Sequence, residues 1–246
     1  MIAVVRLLLV VLFIVLSTLI GLVVCIFRPF HANNVVLFGH WYAWCGRIFG
    51  VEVEVRRHPA VADAHPCVYT ANHQNNYDLF LMPTALIQRT VTIGKKSLRL
   101  IPFFGQLYWL SGNILLDRDN RSKAVGTMQG AVERIRKEQL SVWMFPEGTR
   151  SYGRGLLPFK TGAFHIAQQA GVPVVPVCMS STAHIKLNRW RNGKVIIAML
   201  EPIPMSESTE IRPLAKQVHQ IMADTLAELD SELASDYTAQ SLTARN

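Results

Sequence analysis

From Leu7 to Phe27 the chain carries no charge, and 17 of these 21 positions are Leu, Ile, Val or Phe, with Arg6 and Arg28 closing the stretch. As a helix it rises about 31 Å, the thickness of a bilayer's hydrocarbon core. At roughly 0.3 to 0.6 kcal/mol per apolar residue, insertion gains about 5 to 10 kcal/mol before smaller opposing terms. The pattern predicts an N-terminal hydrophobic membrane-anchor helix. A cleaved signal peptide fits poorly, since its apolar region is shorter and Phe27-Arg28-Pro29-Phe30 offers no small-residue cleavage site. Val35 to Gly50 is apolar but shorter and holds His40, Trp41, Tyr42, Trp44 and Arg47. That mixture suits the headgroup level, and the alternative is a first core helix. Residues 1–50 are expected to be membrane anchor and interfacial helix, and 51–246 one α/β domain.

Beyond Gly50, short β-branched runs alternate with longer segments of helical period. Strands are expected near Val51 to Val55, Cys67 to Ala71, Val91 to Ile93, Asn113 to Leu116, Ser141 to Phe145, Val172 to Met179 and Val195 to Met199. Between Arg121 and Glu138, Val125, Met128, Val132 and Ile135 recur at three- and four-residue spacing, which predicts an amphipathic helix. Thr161 to Ala170 predicts another, stopped by Gly171 and Pro173. Pro213 to Ala234 predicts a third, with Ser235 to Asn246 a frayed tail. The alternation implies an α/β layered domain, a mostly parallel sheet with flanking helices, and ligand sites at strand ends.

Composition narrows the partners. Half of the 246 residues are hydrophobic and only 17% are charged, with much of the excess near the N-terminus, so part of the chain is solvated by lipid. The net charge of +8 suits an anionic membrane surface or a polyanionic substrate. Nucleic acid is not favoured, because the cations follow no recognised nucleic-acid-binding pattern. Cys25, Cys45, Cys67 and Cys178 form neither a metal-ligand pair nor a disulfide framework and read as buried thiols in a cytoplasm-facing domain.

The candidate chemistry gathers where strands end. Thr70-Ala71-Asn72-His73-Gln74-Asn75-Asn76-Tyr77-Asp78 follows an apolar strand. His73 and Asp78, five apart, diverge on a regular helix and on a strand; they meet only if a turn intervenes, and Asn72, Asn75 and Asn76 supply turn chemistry. In such a turn Asp78 fixes the tautomer of His73, whose other nitrogen can take a proton from a hydroxyl. The competing reading is a polar turn that satisfies backbone groups. A second strand runs into Pro146-Glu147-Gly148-Thr149-Arg150-Ser151, where glycine permits close backbone approach and Arg150 can grip a phosphate. Arg118, in Asp117-Arg118-Asp119, and Lys95 with Lys96 place cations at two further strand ends. No serine sits in a nucleophile elbow.

The segments NHQNNYD, GNILLDR, FPEGTRS and Val172 to Pro176 resemble, in order and spacing, the four motifs of the glycerolipid acyltransferase family, and the likeness runs from about Phe38 to Met199. The resemblance implies His73 as general base and Asp78 as its orienter. It implies an acceptor phosphate held by Arg118 and Arg150, with Glu147, Gly148 and Thr149 forming the loop there and Lys95 as a further candidate. Gly112 matches the start of the second motif, Asp117 has no assignable role, and the fourth motif, around Pro173 and Pro176, looks structural and is expected to border the acyl site. The implied reaction is transfer from acyl-CoA or acyl carrier protein to the sn-2 hydroxyl of lysophosphatidic acid, at the bacterial inner membrane with the catalytic domain facing the cytoplasm. No metal and no cofactor beyond the co-substrate is implied. Acylation of glycerol 3-phosphate or another lysophospholipid is the neighbouring possibility, and a non-catalytic membrane lipid-binding protein is the alternative from another class.

Overall fold

The computed structural model describes residues 1–117 and 120–243. Two helices, α1 (Ile2–Phe27) and α2 (Ala32–Gly46), precede β1 (Glu52–Arg57), β2 (Val68–Ala71), α3 (Asp78–Leu81), β3 (Thr90–Lys95), α4 (Phe104–Leu110) and β4 (Ile114–Leu116). Then come α5 (Arg121–Glu138), β5 (Ser141–Met144), α6 (Gly162–Ala170), β6 (Val174–Met179), β7 (Lys194–Met199) and α7 (Ile211–Thr243). The strands make one sheet in the order β1-β7-β6-β2-β5-β3-β4. Only the β6–β7 pair is antiparallel, so β1 and β7 run against the other five.

β5 and β6 are buried at every position, as the sheet's centre requires when both faces are covered. On one face α5, α6 and α7 deliver Val132, Ile135, Phe164, Ile166, Val218 and Met222. On the other, α2, α3 and their neighbours bring Tyr42, Phe49, Phe80 and Leu81 against Tyr69 and Trp143 of the sheet. α5 begins where the Asn120 side chain accepts the Lys123 N–H at 3.0 Å, and α6 ends at Gly171 in the left-handed region. Pro176 is tolerated in an interior strand because the antiparallel ladder to β7 starts one residue later, at Val177. All four cysteines are free and buried.

Three differences from the sequence reading have plain causes. α2 is seated on the domain: Val35, Val36, Phe38, Tyr42 and Cys45 are buried, while His40, Trp44 and Arg47 share the outward face, so the core-helix reading describes its inner side. α7 continues to Thr243 where a frayed tail is expected; no Gly or Pro lies beyond Ser235 to stop it, and Pro213 is tolerated in its first turn.

The third concerns α1. It lies along the flank of the domain instead of standing clear of it. Arg6, Ser17, Thr18, Gly21 and Cys25 are buried, and Phe13 meets Tyr42 edge-on with centroids 5.1 Å apart. Gly21 permits the approach, since a β-carbon there would lie 2.5 Å from Leu107 of α4. Beyond the C-terminal end, the Phe30 N–H bonds the Leu110 carbonyl at 2.9 Å. The opposite side, including Val5, Leu8, Leu12, Leu16, Leu19 and Val23, is exposed and apolar.

Candidate active site

β2, β5, β3 and β4 are consecutive, mutually parallel neighbours, so their C-terminal ends share one edge of the sheet. At the end of β2 the chain turns sharply, and three amide side chains hold the turn to the end of β6. Asn72 exchanges two hydrogen bonds with the Met179 backbone, at 2.8 and 2.9 Å. Gln74 donates to the Met179 and Ser180 carbonyls, each at 2.8 Å, and Asn75 donates to Thr182 Oγ1 at 2.7 Å.

The turn brings Asp78, the first residue of α3, to the Nδ1 edge of the His73 ring, with Asp78 Oδ2 2.5 Å from His73 Nδ1. The same oxygen accepts the Gln74 N–H at 2.7 Å, and the Asn75 N–H approaches both carboxylate oxygens at 3.3 Å. A carboxylate already accepting from two backbone donors is held in its acceptor form, which assigns the ring proton to Nδ1. Nε2 is then an acceptor and has no hydrogen-bond partner among the described residues. The ring stacks on Phe145 with centroids 4.0 Å apart and planes 16° from parallel, and the side chain stays 18% exposed. The geometry is that of a base with one tautomer, one orientation and one open nitrogen.

The loop after β5 runs beside this turn. Ser151 N–H bonds the His73 carbonyl at 2.8 Å and Tyr152 N–H the Gln74 carbonyl at 2.9 Å. Glu147, only 4% exposed, points inward: one carboxylate oxygen accepts the His73 N–H at 2.6 Å and the other the Leu157 N–H at 3.0 Å. It therefore faces the backbone that carries His73 and not an anion. Burial raises its pKa above the usual carboxylate value, against the two backbone N–H groups, which lower it.

Gly148 adopts a left-handed conformation with φ of 71°, and a β-carbon there would come within 3.0 Å of Lys160 Cε and Nζ. Lys160 thus lies across the glycine, anchored by its own N–H to the Pro146 carbonyl at 2.8 Å. Thr149 is exposed beside it. Arg150 is half-buried; its Nε is buried without a partner among the described residues, and Nη1 is 3.5 Å from the Tyr152 hydroxyl. Lys95 closes β3, and Lys96 pairs with Asp117 at 3.3 Å, tying the ends of β3 and β4 together. Arg118 lies outside the described residues. Lys160, which sequence reasoning passed over, had a signal available: it sits in LPFKTGAF, directly after the glycine-rich loop. Among the described residues no group of three or more His, Cys, Asp or Glu is arranged to hold a metal ion.

A parallel-edge sheet carrying an oriented histidine beside a cationic glycine loop is the arrangement of a group-transfer enzyme. A family model described as Acyltransferase matches residues 52–180, and the chain belongs to that family. It is 50% identical over 233 residues to the 1-acyl-sn-glycerol-3-phosphate acyltransferase of Escherichia coli (strain K12), a match covering 93% of this chain and 95% of that protein. It is 33% identical over 214 residues to the 1-acyl-sn-glycerol-3-phosphate acyltransferase alpha of Homo sapiens, covering 85% of this chain and 76% of that one. The crystal structure of the 1-acyl-sn-glycerophosphate (LPA) acyltransferase from Thermotoga maritima superimposes with a TM-score of 0.73 at 25% identity, covering 93% of this chain and 94% of that one.

Proposed function

We propose that this chain transfers an acyl group from a thioester, acyl-CoA or acyl carrier protein, to the sn-2 hydroxyl of 1-acyl-sn-glycerol 3-phosphate. The products are phosphatidic acid and a free thiol. The observation that carries the reading is the open Nε2 of His73, backed by Asp78 at 2.5 Å and bordered by the cationic loop. His73 Nε2 takes the proton of the acceptor hydroxyl as its oxygen attacks the thioester carbonyl. The new ester C–O bond forms, the C–S bond breaks, and the imidazolium returns its proton to the leaving thiolate. The substrate supplies the nucleophile, so no covalent enzyme intermediate is required.

Arg150, with an unsatisfied buried Nε, and Lys160, lying across Gly148, support a phosphate held over the loop after β5. By family resemblance Arg118 joins them, with Lys95 at the neighbouring strand end. Glu147 acts through the His73 backbone. The outward apolar stripe of α1 takes lipid while its inner side stays on the domain, which suits an acceptor and a product that remain in the bilayer. A soluble thioester carrier puts the domain on the cytoplasmic side of the inner membrane.

The test is thiol release by the purified full chain with acyl-CoA and either lysophosphatidic acid or glycerol 3-phosphate. Wild type should release thiol with the first acceptor, and His73→Ala should reduce turnover by roughly 10²- to 10⁴-fold with the fold intact. Near-normal turnover in the variant removes His73 as the base, and preference for glycerol 3-phosphate moves the acceptor.

A further inference from the structure

The loop between β6 and β7 is held with unusual completeness. Arg6 of α1, 5% exposed, sends Nη1 to the carbonyls of Leu187 at 2.8 Å and Arg189 at 2.6 Å, and Nη2 to that of Trp190 at 2.9 Å. From the other side buried Asn192 donates to the carbonyls of Phe49 at 2.7 Å and Lys186 at 3.0 Å, and it accepts the Lys186 N–H at 2.8 Å. Asn188 accepts the Ala3 N–H at 3.0 Å, so the loop is fastened to the first turns of α1.

With its carbonyls turned inward, the loop presents its side chains outward. Lys186, Arg189 and Arg191 are exposed and make no ion pair among the described residues, and Trp190 between them is 72% exposed. The exposed Val4, Val5, Leu7 and Leu8 of α1 begin immediately beside it. A tryptophan flanked by cations at the end of an apolar stripe is the composition of the headgroup level.

We propose that Lys186 to Arg191 is a docking surface for the anionic headgroups of phospholipids, Trp190 lying among them and the three cations on their phosphates. Continuity with the lipid-facing stripe favours a membrane over an acidic protein as the occupant. The inference rests on α1 being embedded in lipid and adds a charge-dependent contact to a charge-indifferent insertion.

The experiment uses the full chain in phosphatidylcholine vesicles carrying brominated phosphatidylglycerol or, at equal fraction, brominated phosphatidylcholine. The emission of Trp190, taken as wild type minus Trp190→Phe, should be quenched more by the anionic lipid. That preference should fall about fivefold for each cation removed in Arg189→Gln and Arg191→Gln, and in wild type it should fade at high salt. Both variants should keep wild-type thiol release in neutral detergent micelles. Quenching of the other tryptophans with Trp190 untouched overturns the loop proposal and leaves α1 in lipid; no quenching anywhere overturns the α1 reading. Equal quenching by both lipids, or shielding of Trp190 by an acidic carrier protein but not by lipid, also overturns the proposal.

Discussion

Replacing Glu147 with Gln separates a residue that positions the base from one that touches the phosphate. The buried carboxylate serves two backbone donors, His73 N–H at 2.6 Å and Leu157 N–H at 3.0 Å. A glutamine has one oxygen, so one of the two N–H groups faces an NH₂ and loses its partner. An unpaired buried donor costs about 1 to 3 kcal/mol, set against relief from burying a charge. The larger effect falls on turnover: with the NH₂ turned to the His73 N–H the amide that loses its anchor is that of His73 itself, with it turned to the Leu157 N–H the loop that holds His73 shifts, and a misplacement of about 1 Å costs on the order of 10²-fold. Thiol-release kinetics should therefore show kcat reduced about 100-fold while KM for the phosphate-bearing acceptor changes little. A pH arm follows from the raised pKa. The folded state binds the Glu147 proton more readily than the unfolded chain, so this group's contribution is full below the unfolded carboxyl range and is lost as pH rises through the folded value. Thermal unfolding should show wild type gaining on Glu147→Gln as pH is lowered. A variant with normal kcat and a raised acceptor KM would refute the positioning role and put Glu147 in contact with substrate.

Asp78→Asn keeps an acceptor for the Gln74 N–H but weakens the preference for the Nδ1 proton, and kcat should fall by up to about 10⁴-fold with acceptor KM little changed. Undiminished turnover there would leave the pair structural only. Arg150→Ala and Lys160→Ala should each raise KM for lysophosphatidic acid roughly 10- to 100-fold, the range of a lost charge-assisted hydrogen bond, and leave KM for the thioester alone. A residue whose loss moves neither parameter is not at the phosphate.

The inner strands were legible because buried strands of a parallel sheet read as apolar runs bounded by polar turns, and the edge strand β1, which has no buried position, because its β-branched Val53 and Val55 recur among charges; the structure places all seven within a few residues of their expected bounds. α5 was legible for the complementary reason, a 3.6-residue period on an otherwise polar surface. The meeting of His73 and Asp78 could be anticipated because both partners and the turn residues lie within seven positions. What escaped depends on contacts distant in the chain. The insertion of β7 between β1 and β6 follows from pairing and leaves no mark on either strand alone. Glu147 and Arg150, three residues apart in one motif, read as a common anion site, yet one faces the His73 backbone and the other is left with an unsatisfied nitrogen.

Arg6 gives the sharpest case. Flanking an uncharged stretch, it marks where a membrane segment ends, and local sequence supports nothing more. In the fold its guanidinium is consumed by carbonyls more than 180 residues away, so the charge that bounds the apolar segment also fastens that segment to the domain. α1, fixed near its N-terminal end by Arg6 and packed on α4 near the other, cannot swing independently of the active-site edge. Under the proposed function, with α1 embedded in lipid, its depth and the height of His73 above the bilayer are one variable. With the proposed acceptor's hydroxyl at a fixed level in the headgroup layer, that coupling would replace a search along the membrane normal with a search in the plane alone.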